Sequence, residues 1–140
     1  METVSYAHRF DYTYDSESGE LFPVLPLRIE NLHNPQQALD FDTYLDSGTQ
    51  RSLFDGRIAA EIGIDLSSGE DARYGSSSGF YIGAKLHTVR LSHPNLGIFD
   101  LKVGFSTIQI KRNLLGRDFF NFIQIGFRER HLLFYVTNVP

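Results

Sequence analysis

Residues 39–49 of the 140-residue chain read LDFDTYLDSGT, a strand pattern that ends in an acidic turn. Apolar or β-branched residues alternate with polar ones, at Leu39, Phe41, Thr43 and Leu45. A period of two is typical of a β-strand with one buried face. Asp, Ser and Gly are residues that favour a turn. The stretch therefore predicts a half-buried strand that delivers Asp46 to a loop.

Three further features follow in order along the chain. Asp55 is a candidate N-cap for a short helix that contains Ile58 and Ile62 and ends at Gly63. Residues 69–91 have the pattern of a hairpin whose tip, residues 74–79, reads YGSSSG. Residues 113–118 read NLLGRD and lead into a second short helix predicted over residues 116–121.

The order of these features resembles the pattern of retropepsin-like aspartic proteases. That pattern is two hydrophobic residues and Asp-(Thr/Ser)-Gly, then a flap hairpin, then two hydrophobic residues and Gly-Arg-(Asp/Asn). The resemblance covers roughly residues 39–136. Asp-Ser-Gly alone is common in turns. Its occurrence together with LGRD, about 70 residues downstream and with a flap between, is the specific signal.

The resemblance implies an aspartic endopeptidase that needs no cofactor, with Asp46 as its catalytic residue. Peptide hydrolysis by this route needs one carboxylate to activate water and another to protonate the carbonyl oxygen. The chain has one Asp-Ser-Gly, so the second carboxylate is expected from a second copy in a twofold-symmetric homodimer that takes peptide or protein substrates. Ser47 would link the two motif loops and Gly48 would donate its N–H to the carboxylate. Thr49 stands where the family usually has a small residue.

The resemblance also assigns roles to the hairpin tip and to the second motif. The tip is expected to close over the substrate, since small residues suit a lid; its members are Gly75, Ser76, Ser77, Ser78 and Gly79. The second motif is expected to be structural and to pack beneath the Asp46 loop with its arginine buried; its members are Leu115, Gly116, Arg117 and Asp118. The pocket is expected to be apolar, with Leu45 and Ile82 lining or underlying it.

Two departures from the retroviral pattern affect these expectations. Retroviral proteases place a carboxylate a few residues after the catalytic Asp, but residues 50–52 are Gln-Arg-Ser. Arg117 therefore needs another partner, with Asp55 or a backbone carbonyl as candidates. An extended N-terminal hairpin over about residues 1–35, which begins with a strand over residues 6–14, precedes the motif. We expect the C-terminal strand over residues 131–139 to contribute to the dimer sheet.

The predicted fold is mainly β, a closed retropepsin-like acid-protease barrel with one or two short helices. It forms a single domain over residues 1–140, a length that suits one compact unit. Residues 21–30 form one of its strands. Pro23 and Pro26 lack the N–H that a central strand donates, so at least the start of this strand is expected at an edge.

Composition argues against several other classes of protein. The net charge of −4, with both signs interspersed, gives no basic stripe for nucleic acid. The chain has no cysteine, which removes disulfides and thiolate catalysis, and its five histidines are scattered, which predicts no metal site. It has neither a signal-peptide pattern nor an apolar run of the ~20 residues that span a membrane, so a cytoplasmic location is expected.

Less specific interpretations of the same residues stay open. Asp46 alone is an ordinary turn aspartate, and residues 75–79 alone are a flexible hairpin tip. A retropepsin-like domain that no longer cleaves, and serves as a dimerisation or peptide-binding module, would carry the same features. The missing carboxylate after Asp46 favours that alternative. An unrelated small β-barrel with a coincidental motif is a third interpretation.

Overall fold

The computed structural model describes residues 3–75 and 78–139. Its strands are short and antiparallel for the most part, and they are joined by two short helices and two 3-10 turns. The strands are β1 (His8–Asp11), β2 (Thr13–Asp15), β3 (Glu20–Phe22), β4 (Val24–Asn31), β5 (Asn34–Leu45), β6 (Leu53–Asp55), β7 (Glu70–Gly75), β8 (Tyr81–His93), β9 (Gly97–Ser106), β10 (Asn113–Leu115), β11 (Ile123–Arg128) and β12 (Leu133–Asn138). The helices are α1 (Gly56–Glu61) and α2 (Arg117–Phe120), and the 3-10 turns are Leu66–Ser68 and Glu129–His131. The mainly-β class is confirmed.

The main sheet follows the order β4-β5-β10-β6-β9-β8-β7. β4 pairs in addition with β8, so the hydrogen-bonded pairings return to the strand from which they started. β10 lies between β5, to which it runs parallel, and β6, to which it runs antiparallel. The chain therefore leaves β5, passes the end of β10 and enters β6. This arrangement places the loop after Leu45 directly beside the residue that follows Leu115.

A second sheet has the order β1-β12-β11. Residues 133–136 of β12 have β1 on one side and β11 on the other, which uses both edges of the strand. Within one chain these residues therefore have no free edge, and the contribution of the C-terminal strand to a dimer sheet stays a prediction. The free edges of this sheet belong to β1 and β11.

The N-terminal segment is divided among three partners. β1 pairs with β12, β2 and β3 form a small hairpin of their own, and β4 joins the main sheet. The single strand predicted over residues 6–14 is interrupted at Tyr12. Its N–H donates to the Leu132 carbonyl at 2.9 Å, in register with the β1–β12 pairing, and its hydroxyl donates to Glu129 at 2.7 Å.

Two local predictions about strand and helix ends are confirmed. Residues 24–27 of β4, which include Pro26, pair with β5 alone, whereas residues 28–31 also pair with β8. The start of this strand therefore lies at an edge. α1 begins after Asp55, whose side chain accepts the Arg57 N–H, and the chain turns at Gly63, where φ is +75°.

The core is aromatic where it supports the site. Phe54 of β6 is fully buried and meets Phe41 edge-on at 4.9 Å between ring centroids, a favoured aromatic geometry. Phe119 of α2 is also fully buried and meets Phe99 at 4.9 Å in the same way. These contacts fix β6, which follows the loop that carries Asp46, and α2, which is hydrogen-bonded to that loop. Within the described residues no helix is long and apolar enough to cross a membrane.

Candidate active site

Asp46 opens the loop between β5 and β6, residues 46–52, which we call the Asp46 loop. The Asp46 N–H donates to the Leu115 carbonyl at 3.0 Å, and this bond continues the β5–β10 pairing by one residue. Its carboxylate is held on both oxygens. The Gly48 N–H donates to Oδ1 and the Thr49 hydroxyl donates to Oδ2, each at 2.9 Å. The half-buried carboxylate therefore has a fixed orientation.

The second motif is attached to the Asp46 loop by backbone hydrogen bonds. The Arg117 N–H donates to the Thr49 carbonyl at 2.8 Å, and the Asp118 N–H donates to the Gln50 carbonyl at 3.0 Å. Gly116 is needed for this approach, because a Cβ there would lie 2.5 Å from the Thr49 oxygen. The structure thus brings together the two motifs that the sequence singled out.

A side-chain link that the sequence did not predict completes the attachment. Asp118 accepts from the Ser52 N–H at 2.9 Å, from the Ser52 hydroxyl at 2.8 Å and from the Phe119 N–H at 2.8 Å. The Ser52 hydroxyl in turn accepts the Gly116 N–H at 2.9 Å. Ser52 is fully buried. Ser52 therefore links the Asp46 loop to Gly116 and Asp118 of the second motif.

The expectation for Arg117 is wrong on both counts. Its side chain is exposed, and Asp55 pairs with Arg57 instead, at 3.0 Å. Burial disfavours the charged form of Asp55, but hydrogen bonds from Arg57 and from the Ile110 N–H outweigh it and lower the pKa of Asp55. This carboxylate is thus fully engaged as a helix cap. Within residues 3–75 and 78–139, no ion pair involves Arg117.

The β7–β8 hairpin is attached to the Asp46 loop through Tyr74, close to the hairpin tip. The Tyr74 hydroxyl donates to the Ser52 carbonyl at 3.0 Å. Burial is the main reason that the pKa of Tyr74 rises to about 12, so the hydroxyl keeps its proton at any working pH. Beyond this contact the hairpin ends in exposed residues that include Ser78 and Gly79, where φ is +85°. Ser76 and Ser77 of the predicted flap lie outside the described residues.

A cavity of about 1060 Å³ lies between the Asp46 loop and the hairpin. Five of the side chains that line it are charged: Asp46, Arg51, Arg73, Arg117 and Asp118. We call this cavity the groove. The sequence predicted an apolar pocket, and the groove differs because loop and hairpin both turn arginines towards it.

A smaller cavity of about 430 Å³ adjoins the groove and shares three of its apolar lining residues, Leu53, Ile82 and Leu114. Its other walls are the turn between β2 and β3 at Glu17 and Ser18, and residues 110–112. Ile82 thus lines both cavities, as expected, whereas Leu45 lines neither. The N-terminal hairpin of β2 and β3 reaches the site, which the sequence did not indicate.

The groove of one chain contains a single available carboxylate. The Asp46 carboxylate lines the groove and accepts two hydrogen bonds. Asp118 already accepts three, from Ser52 and Phe119. Ser47 is exposed beside Asp46. In the part of the chain that the structure describes, no group of three His, Asp or Glu side chains is placed to hold a metal ion.

Two solved structures resemble the chain over most of its length. A retropepsin-like aspartic protease from Rickettsia conorii aligns with a TM-score of 0.61 at 15% identity, over 98% of this chain and 99% of that chain. The EIAV protease complexed with the inhibitor HBY-793 aligns with a TM-score of 0.53 at 16% identity, over 78% and 91%. No family model and no curated protein matches the sequence. The resemblance predicted from the two motifs is confirmed at the level of architecture, and the chain has a retropepsin-like fold.

Proposed function

We propose that the protein is a homodimeric aspartic endopeptidase in which two Asp46 carboxylates hydrolyse a peptide bond. The observation that carries the proposal is the Asp46 carboxylate itself, held by Gly48 and Thr49 at the wall of a groove that residues of the β7–β8 hairpin also line. Holding a reacting group in one orientation removes much of the entropic cost of bringing reactants together. The groove is large enough for several residues of an extended peptide.

The proposed reaction needs two carboxyl groups that share one proton. Two such groups about 3 Å apart cannot both ionise, so one is charged and the other protonated. The charged Asp46 takes a proton from water as the water oxygen attacks the peptide carbonyl carbon. The protonated Asp46 of the second copy donates its proton to the carbonyl oxygen. Collapse of the tetrahedral intermediate breaks the C–N bond: the leaving nitrogen takes the proton of the dyad, and a hydroxyl of the intermediate gives its proton to the other carboxylate, which restores the shared proton.

Other residues receive supporting roles in this proposal. Gly48 and Thr49 orient the carboxylate, and Ser47 links the two Asp46 loops across the dimer axis. Residues 75–79 act as the flap. We propose that the strands from β4 to β8, whose pairings return to β4, make up the closed barrel of a single domain that also includes the small β2–β3 hairpin. No cofactor takes part, and the cytoplasmic location stays a prediction from the sequence.

The experiment is a comparison of Asp46→Asn with wild type on a peptide library between about pH 4 and 7, the range in which a shared proton is plausible. Asp46→Asn keeps the shape of the side chain and removes its charge, so cleavage should be lost while sedimentation still finds a dimer. Asp42→Asn is a matched control, since Asp42 is an exposed carboxylate on β5 outside the groove. Cleavage by Asp46→Asn at the wild-type rate would refute the proposal.

One observation favours a second candidate, a retropepsin-like module that binds peptides or dimerises without cleaving them. Residues 50–52, Gln-Arg-Ser, correspond to the stretch in which retroviral proteases place a carboxylate, and Arg51 lines the groove. A module of this kind would bind peptides equally well as wild type and as the Asp46→Asn variant, and it would cleave none across the same pH range. Turnover that depends on Asp46 excludes it.

A further inference from the structure

The arginines of the groove differ from most other arginines of the chain in having no carboxylate partner. Arg28, Arg57, Arg90 and Arg112 each pair with an Asp or Glu within 3.3 Å. Within the described residues, Arg51, Arg73 and Arg117 take part in no such ion pair. Arg73 instead lies over the Tyr81 ring, 4.8 Å from its centroid.

Within the described residues, neither carboxylate of the groove forms an ion pair with these arginines. Asp118 accepts three short hydrogen bonds from Ser52 and Phe119, which turn its oxygens towards the loop interior. Asp46 accepts one hydrogen bond on each oxygen, from the Gly48 N–H and the Thr49 hydroxyl. The groove therefore presents unpaired guanidinium groups from two directions, Arg51 and Arg117 beside the loop and Arg73 from the hairpin. This contrasts with the net charge of −4 for the whole chain.

We propose that Arg51, Arg73 and Arg117 make the groove selective for peptides that carry acidic side chains beside the scissile bond. This inference rests on the proposed function, since it names the substrate class of the same site. A guanidinium binds a carboxylate through two parallel N–H···O bonds, and a concave site concentrates the field of charges that line it. Basic peptides are repelled from the groove for the same reason. Twofold symmetry repeats the three arginines, so acidic residues are favoured on both sides of the bond.

The test uses three peptides that are identical except for Glu, Gln or Lys at the flanking positions. Their kcat/KM with wild type is compared with their binding to Asp46→Asn, followed by fluorescence anisotropy. An exposed Arg–carboxylate pair is expected to change affinity by about two- to fivefold, and two or more together by about tenfold. The preference for Glu peptides over Gln peptides, and for Gln peptides over Lys peptides, should become smaller as salt shortens the Debye length from about 10 Å at 0.1 M towards 3 Å at 1 M.

Variants assign the preference to the groove. Arg51→Gln should lower the Glu-to-Gln ratio by about two- to fivefold, because an exposed side chain without a partner is replaced without loss of any contact in the fold. Arg130→Gln is the matched control, since Arg130 is also exposed and unpaired within the described residues but lines neither cavity. It should leave the ratio unchanged. An equal response of the two variants, or Lys peptides that bind as well as Glu peptides, would overturn the inference.

The two proposals fail separately in this experiment. Cleavage that ignores the charge of the flanking residues supports the protease and rejects the acidic preference. Binding of Glu peptides that depends on Arg51, with no cleavage by wild type, rejects the protease and retains the acidic preference for a binding module.

Discussion

Tyr74 attaches the hairpin to the Asp46 loop, and its contact with Gly104 offers a way to measure how much this attachment contributes to stability. Gly104 lies in β9, and a Cβ at this position would lie 2.7 Å from two ring carbons of Tyr74. Carbon atoms prefer separations of about 3.5–4.0 Å, so the ring would have to move. The φ of Gly104 is not in the left-handed region, and alanine can therefore adopt the backbone without strain of its own.

The structure sets the size of the effect. Overpacking of this kind costs about 1–3 kcal/mol. Displacing the ring also breaks the bond from the Tyr74 hydroxyl to the Ser52 carbonyl, which contributes about 1 kcal/mol. The Ser52 carbonyl keeps a second donor, the Gly104 N–H at 2.9 Å, so no acceptor is left unsatisfied. We expect Gly104→Ala to lower the free energy of unfolding by about 2–4 kcal/mol.

A double-mutant cycle separates the clash from every other effect. Tyr74→Ala removes the three atoms that would lie nearest to the new methyl group, and Gly104→Ala should then be neutral or stabilise by about 0.4–1 kcal/mol. The coupling free energy between the two sites is therefore about 2–5 kcal/mol. Urea unfolding followed by circular dichroism at one fixed protein concentration measures it, since a dimer makes apparent stability depend on concentration.

The control and the contrary result are both specific. Gly75→Ala changes a glycine of the same hairpin whose Cβ would find nothing nearer than Tyr81 at 3.4 Å, so it should change stability by less than about 0.5 kcal/mol. If Gly104→Ala costs the same with and without the Tyr74 ring, the two residues are not coupled. The hairpin is then not held to the Asp46 loop in the way described.

Two further predictions concern buried polar groups beside the groove. Ser52→Ala removes the hydroxyl that the Gly116 N–H and one Asp118 oxygen share. The free energy of unfolding, measured with urea, should fall by about 2–4 kcal/mol. A loss as small as that of Ser16→Ala, a change in an exposed turn, would contradict this. The pKa of Asp55 is lowered from 3.8 in the folded state, so its ionised form stabilises the fold above that pH and this contribution is lost as pH falls further. Asp55→Asn keeps a helix cap without the charge, and its free energy of unfolding should fall less steeply below pH 3.8 than that of wild type; equal slopes would contradict the assignment.

Local features of the site could be predicted from the sequence because they depend on neighbouring residues. The cap at Asp55 and the turn at Gly63 follow from rules about helix ends, and the structure has both. The alternation over residues 39–45 predicted β5 for the same reason. The pairing of the two motifs needed more than local pattern. It came from the resemblance, which supplied the long-range order that a single strand does not contain.

The features that the sequence missed join residues far apart in the chain. Ser52 and Asp118 are 66 residues apart, and neither periodicity nor composition singles out a serine as the partner of an aspartate. The same holds for Tyr74 and Ser52, and for β1, which pairs with β12 at the other end of the chain. Asp55 is not the partner of Arg117, because it caps the N-terminus of α1 and forms an ion pair with the adjacent Arg57.

The hydrogen bonds around Asp46 indicate which part of the proposed active site a single chain supplies. Every donor to the Asp46 carboxylate, and every bond between the Asp46 loop and the second motif, comes from the same chain. Within the described residues, the loop is thus held by hydrogen bonds of its own chain. What one groove lacks is a second carboxylate that is not already engaged, since Asp118 is bonded to Ser52 and Phe119. In the proposed dimer, the Asp46 of the second chain would supply that group to a carboxylate that its own chain already orients.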